Sequence, residues 1–159
     1  MSQDEFKKLI KEDKYQVFVF ACPAYFPFNF ARHPWFVLNK KGNISRYEVV
    51  HKKNCCPEKC FGYLHLNALP PYQGVKMFSF SKKHWDSDLL GFLEGDENSP
   101  AQKCLELIEK SKELYPYTQT YSLRGPNSNT YLNWVLKQFP EFSIKLSWRF
   151  IGKSYKPVV

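Results

Sequence analysis

A serine at the mouth of a helix, an early histidine and a carboxylate on the next strand are the residues that could together do covalent chemistry. The serine is Ser128, in Arg124-Gly125-Pro126-Asn127-Ser128-Asn129-Thr130-Tyr131-Leu132-Asn133-Trp134. Gly-Pro makes a rigid turn and the residues after it read as a helix. The hydroxyl is therefore delivered to a first helical turn, where N–H groups lack intrahelical partners and carry the positive end of the dipole. An oxyanion forming on a group attacked by Ser128 would be stabilised by those donors, joined by the side chain of Asn127 or Asn129. Asn, Ser and Thr are equally what ordinary helix N-caps use, and Gly-Pro what ordinary turns use.

A hydroxyl nucleophile needs a base, because almost none of it is alkoxide at neutral pH. Of the four His, His33 is the best placed, in Phe30-Ala31-Arg32-His33-Pro34-Trp35-Phe36-Val37-Leu38, where aromatic neighbours could bury it beside a cleft. The following strand carries one carboxylate, Glu48, as an orienting acid, although Arg46 and Lys52 compete for it. Trp35, Tyr47 and Trp134 are the aromatics expected to line the substrate cleft. Soft ligands cluster in His51-Lys52-Lys53-Asn54-Cys55-Cys56-Pro57-Glu58-Lys59-Cys60, with His65 beyond. Their spacing fits no zinc finger or ribbon, and the adjacent Cys55-Cys56 pair points one ligand away from any tetrahedron. The expectation is loop thiols with no metal, and no cofactor.

The elements that position these groups follow from pattern. Residues 3–13 carry Phe6, Leu9 and Ile10 at helical spacing. Tyr15–Cys22, β-branched and aromatic, predicts a buried strand. A second strand over Phe28–Asn39, interrupted or edge-placed at Pro34, turns through Lys40-Lys41-Gly42-Asn43 into a third over Ile44–His51, giving a hairpin. Phe61–Leu69 and Val75–Phe80 read as further strands. Ser99 as N-cap and Pro100 at the first helical position open a helix to about Leu114. After the short extended stretch Thr118–Leu123, the Ser128 helix runs to about Gln138, and Ser143–Ile151 alternates like a strand. Strands at both ends with helices gathered in the second half predict an α+β domain, an antiparallel sheet packed against two or three helices.

Composition bounds the rest. At 159 residues, with 43% hydrophobic and 18% aromatic, the chain has core material for one domain and is not disordered. No apolar run approaches the roughly 20 residues of a membrane span, and the N-terminus lacks an apolar signal core, so the reading is soluble and cytoplasmic. Twenty-three Lys and Arg against 15 Asp and Glu leave a net charge of +8. The basic residues are dispersed in short pairs, which makes nucleic acid possible but not favoured. Five Cys without a secretory signal read as reduced thiols.

Gly125-Pro126-Asn127-Ser128-Asn129-Thr130-Tyr131 resembles the Gly-Pro-Asn-Ser-Asn-Thr-Phe signature of an uncharacterised, mainly bacterial family known only as a domain of unknown function. His33-Pro34-Trp35, Arg46-Tyr47-Glu48-Val49, Glu94-Gly95-Asp96, Tyr115-Pro116-Tyr117 and Ile151-Gly152-Lys153 look similar in the same order, so the likeness spans roughly 15–155. Residues 1–14 then form an N-terminal helical extension to one domain. More distantly, the chain is similar to circularly permuted papain-like proteins, the NlpC-type peptidases and lecithin–retinol acyltransferase. There the His opens an early strand, a polar orienter follows on the neighbour, and the nucleophile, normally Cys, opens a later helix. The resemblance implies a papain-like α+β fold with His33, Glu48 and Ser128 in one cleft. With Ser where those enzymes have Cys, His33 would have to take the proton during attack. Two functions are open: acyl transfer (amidase, esterase or acyltransferase) on a small-molecule, peptide or acyl substrate, or an inactive module binding an anionic or acyl ligand.

Overall fold

The computed structural model describes residues 1–54, 58–78 and 80–156. The apolar run after the first helix forms β1 (Tyr15–Pro23), which pairs antiparallel with β2 (Arg32–Lys40). Lys41 and Gly42, both at positive φ (49° and 90°), turn β2 tightly into β3 (Asn43–Val49), the geometry that suits a two-residue hairpin. β4 (Cys60–Phe61), β5 (Leu64–Leu66) and β6 (Asp88–Gly95) complete a six-stranded sheet in the order β4-β5-β3-β2-β1-β6, with every pairing antiparallel. The helices are α1 (Gln3–Leu9), α2 (Pro100–Glu109), α3 (Ser111–Leu114) and α4 (Ser128–Leu136). The α+β class and antiparallel sheet are as expected. Among the described residues no helix is long and apolar enough to cross a membrane.

Both faces of the sheet are covered, and strand alternation assigns each residue to one of them. On the first face Val17, Val19, Ala21, Phe36, Leu38 and Val49 pack under α2 and α4. α2 contributes Ala101, Cys104, Leu105 and Ile108 at helical spacing, and the Ser99 hydroxyl caps it through the Gln102 amide at 3.3 Å. α4 docks through Tyr131, whose ring meets Phe36 edge-on at 5.5 Å. On the second face Phe18, Phe20, Cys22, Trp35 and Val37 pack against Phe6 of α1 and the chain around Tyr72, Val75 and Trp85. Phe6 meets Phe18 and Phe20 edge-on at 5.5 and 5.7 Å, so the N-terminal helix is part of a core. Truncating a side chain so placed costs on the order of 3–5 kcal/mol.

Several predicted elements differ. β2 begins at Arg32 rather than Phe28 and is a central strand. Pro34 is tolerated because the β3 ladder stops at Phe36, so the missing N–H costs no bond on that side. Phe61–Leu69 is not one strand: Gly62 and Tyr63 fold it into the β4–β5 hairpin. Among its described residues Val75–Phe80 supplies a single bridge, Lys76 to His84. The long helix breaks at Lys110 into α2 and α3. Thr118–Leu123 and Ser143–Ile151 form no strand; a 3-10 turn at Pro140–Phe142 precedes the latter. The sheet edge on that side is β6, a strand the pattern missed.

Candidate active site

β2 and β3 bring His33 and Glu48 together. In the hairpin register Phe36 lies opposite Tyr47 as the last pair, and Glu48 and His33 follow just past it on β3 and β2. Nε2 of His33 lies 3.0 Å from Glu48 Oε2, and Arg46 donates to the same oxygen at 2.8 Å. Glu48 and Arg46 are fully buried, while His33 keeps 9% of its surface exposed. Burial pushes the Glu48 carboxyl up, but the Arg46 charge and the His33 bond outweigh it and hold it down at about 2. An ionised Glu48 can only accept, so Nε2 of neutral His33 carries the hydrogen and Nδ1 carries the lone pair. Nδ1 has no hydrogen-bond partner among the described residues.

Arg46 ties this pair to the rest of the second face. Its guanidinium lies 4.2 Å over the Trp35 ring and donates to the carbonyls of Pro70 (2.8 Å) and Gln73. The Trp35 indole donates to Pro71 at 2.8 Å, so the two side chains staple the Pro70–Gln73 segment to the sheet. The pairing with Glu48 is one-pronged: Glu48 Oε1 and Arg46 Nε are buried without partners among the described residues.

The Ser128 segment is built for another task. Asn127 caps α4 through Oδ1, which accepts from the amides of Asn129 (2.9 Å) and Thr130 (3.3 Å), and the Thr130 hydroxyl closes a capping box at 3.1 Å. Asn127 Nδ2 sits 3.0–3.3 Å from the carbonyls of Ser122, Leu123 and Ile151. Asn129 donates to Ile151 at 2.8 Å, Thr130 to Gly152 at 2.8 Å and Asn133 to Lys153 at 2.6 Å. A Cβ on Gly152, itself at φ +88°, would lie 2.5 Å from Asn127 Nδ2. The Gly-Pro-Asn-Ser-Asn-Thr string and Ile151-Gly152-Lys153 are thus two halves of one knot that ties the C-terminal segment across the start of α4. Asn127, expected as an oxyanion donor, has its amide hydrogens engaged by carbonyls.

Ser128 and His33 lie at the same end of the sheet, since residues 149–151 bond both Arg32 (2.9 Å) and Asn129 (2.8 Å). They stand on opposite faces. α4 packs on the Phe36 face, whereas His33 alternates with Trp35, its ring stacked 6.1 Å from the indole. Among the described residues no hydrogen bond involves the Ser128 hydroxyl. The expected cleft aromatics divide likewise. Trp35 is buried on the second face; Tyr47 and Trp134 pack at the margin of the first core, Trp134 against Tyr131 and Tyr115. Grooves of about 500 and 270 Å³ run along α4 and α2, and neither includes His33 or Ser128.

Sequence reasoning missed the extent of Arg46's role and placed His51 and His65 only as soft ligands near the Cys cluster. His65 is buried directly across from Glu48 and bonds the Lys52 carbonyl through Nε2 at 2.8 Å; burial lowers its pKa. His51 stands 6.1 Å from the Tyr25 ring, and burial lowers its pKa as well. Cys22, directly opposite His33 in the β1–β2 ladder, is fully buried, and burial pushes its thiol up to about 12. It is a small core residue rather than a nucleophile. Cys55 and Cys56 lie outside the described residues.

No curated protein matches this sequence, and no solved structure matches it. The profile of a family described as "Protein of unknown function (DUF3750)" matches residues 14–155, nearly the whole chain. The chain therefore belongs to the DUF3750 family, whose matched region contains the His33–Glu48–Arg46 unit and the Asn127 knot.

Proposed function

We propose that this chain is an acyl-transfer enzyme of papain-like type in which His33 is the general acid/base and Glu48 its orienter. Nδ1 takes a proton from a water as that water attacks the acyl carbonyl, and returns it to the departing alcohol or amine. The observation that carries this reading is the 3.0 Å bond from Nε2 to Glu48, which leaves the other ring nitrogen without a hydrogen-bond partner among the described residues, on a residue that is 9% exposed. Support also comes from the order of parts along the chain, an early strand His followed by a carboxylate on the next strand, in a sheet with helices packed on it. In this reading water takes the nucleophile's place, since α4 docks on the Phe36 face while His33 stacks beside Trp35 on the other. The test is hydrolysis of a p-nitrophenyl ester, paired with fluorophosphonate labelling. His33→Ala is expected to lose about 10²–10⁴-fold of the rate, the span general-base catalysis supplies, and Ser128→Ala to keep it. Wild type should remain unlabelled. Labelling at Ser128, or a rate indifferent to His33→Ala, would overturn the assignment.

One observation favours the binding module as a second reading. Glu48 Oε2 is shared between His33 and Arg46, and Arg46 in turn holds the Pro70 and Gln73 carbonyls, an arrangement that suits a structural network. That reading predicts saturable binding of an acyl carboxylate such as octanoate with no ester turnover.

A further inference from the structure

The second face ends in a patch the site does not use. Phe26, Phe28, Phe30, Phe78 and Phe80 are 39–92% exposed, Phe80 being the most exposed. They come from two chain segments held together by a bond from the Phe26 amide to the Met77 carbonyl at 3.2 Å. Phe26 and Phe78 lie 5.2 Å apart, Phe78 and Phe80 stack at 6.3 Å, and Phe28 and Phe30 meet edge-on at 6.3 Å. Arg149 donates to the Phe30 carbonyl at 2.8 Å, and beside it in sequence Trp148 is 73% exposed. Residues 24–31 and 76–84 contain no carboxylate, whereas the second segment brings Lys76, Lys82 and Lys83, all exposed and in no ion pair among the described residues. Asp86 and Asp88 follow, and Asp88 is paired with Arg32.

We infer that this patch docks the protein on an anionic lipid surface, the phenylalanines entering the headgroup–acyl boundary and the lysines meeting the phosphates. Exposed apolar side chains gathered in one place mark an interaction site. Charge selects the occupant. Lysine is depleted from the centres of protein–protein interfaces, whereas an apolar insertion next to unpaired lysines is the composition that binds anionic interfaces. The net charge of +8 adds long-range attraction of the same sign. The inference stands on the patch alone and does not depend on His33.

Co-sedimentation with vesicles tests it, using phosphatidylcholine alone and phosphatidylcholine mixed with phosphatidylserine. The full chain is expected to partition onto the mixed vesicles and only weakly onto the neutral ones. Phe26→Ser/Phe80→Ser should lose at least about tenfold of the partitioning on mixed vesicles, from the apolar area withdrawn. Lys82→Ala/Lys83→Ala should lose about 30-fold there, each lysine near an anionic surface carrying roughly a fivefold share. Both variants change exposed side chains, and thermal melting by circular dichroism should match wild type. Failure of wild type to sediment with either vesicle would overturn the inference, as would binding that both variants retain. So would a dimer on size exclusion that the phenylalanine variant disperses without any vesicle binding, because the patch would then join two copies of the chain.

Discussion

Removing Arg46 should cost far more than removing a surface cation. Its side chain is fully buried and serves four partners: Glu48, the carbonyls of Pro70 and Gln73, and the Trp35 ring. Arg46→Ala leaves the Glu48 carboxylate buried with only His33 as partner and frees two carbonyls in the stapled segment. Breaking one side of a buried ion pair costs about 3–5 kcal/mol, mostly the penalty of the stranded charge. Summing each bond at about 1.5–3 kcal/mol would overshoot, since these contacts share one group and do not add. A domain of this size has about 5–15 kcal/mol in all, so roughly a fifth of its stability or more goes. With roughly 2–4 °C lost per kcal/mol, the melting temperature should fall on the order of 10 °C. The assay is urea unfolding followed by circular dichroism, with Glu48→Gln and the double variant closing a cycle. Arg46→Ala/Glu48→Gln should recover part of the loss, because no charge is left stranded. An Arg46→Ala cost below about 1 kcal/mol, in the range of an exposed pair, would refute the buried network.

The acid limb of stability gives a second prediction. Glu48 falls from an ordinary 4.5 to about 2 on folding, so its contribution is complete above about 4.5 and drains as the pH drops toward 2. The shift corresponds to about 3 kcal/mol, and a pH series of unfolding curves should show that slope in wild type and lack it in Glu48→Gln. Asn127→Ala should destabilise by at least about 2 kcal/mol, the upper range for a lost cap, because it also deserts three carbonyls. Gly152→Ala should be of similar severity, from the 2.5 Å approach to Asn127 at positive φ. Both are checked by chemical denaturation, and near-neutral values would show that the knot is ornamental. Cys22, with its thiol pushed up to about 12, should resist iodoacetamide in the native protein and react once unfolded, as followed by mass spectrometry.

The parts of this molecule legible in the sequence are those where local chemistry and tertiary placement agree. β1 and the β2–β3 hairpin follow from β-branched content and a turn that wants positive φ, and the α4 start from an Asn-Ser-Asn-Thr cap. The His33–Glu48 pair is only partly legible: the hairpin register ends at Phe36 opposite Tyr47, and the two residues meet just past that last pair. β6 escaped because Asp88–Gly95 is half exposed at an edge, with Gly91 in its middle and Phe92 44% exposed. Ser143–Ile151 alternates like a strand yet has no partner strand; its residues pack as irregular chain over the α4 start. The face on which α4 docks was hidden for a different reason. β1 is buried throughout its first eight residues, so both sides of the sheet are equally apolar and the pattern cannot say which one a helix covers. That single ambiguity separates a Ser-His-Glu cleft from the arrangement found, with His33 and Glu48 on one side and Ser128 on the other.

The tautomer of His33, read from long-range nitrogen–proton correlations in NMR, tests the central arrangement most directly. An Nε2-protonated ring is expected, its signals unchanged in Ser128→Ala and without tautomer preference in Glu48→Leu. A ring protonated on Nδ1, or one whose signals move when the Ser128 hydroxyl is removed, would contradict it.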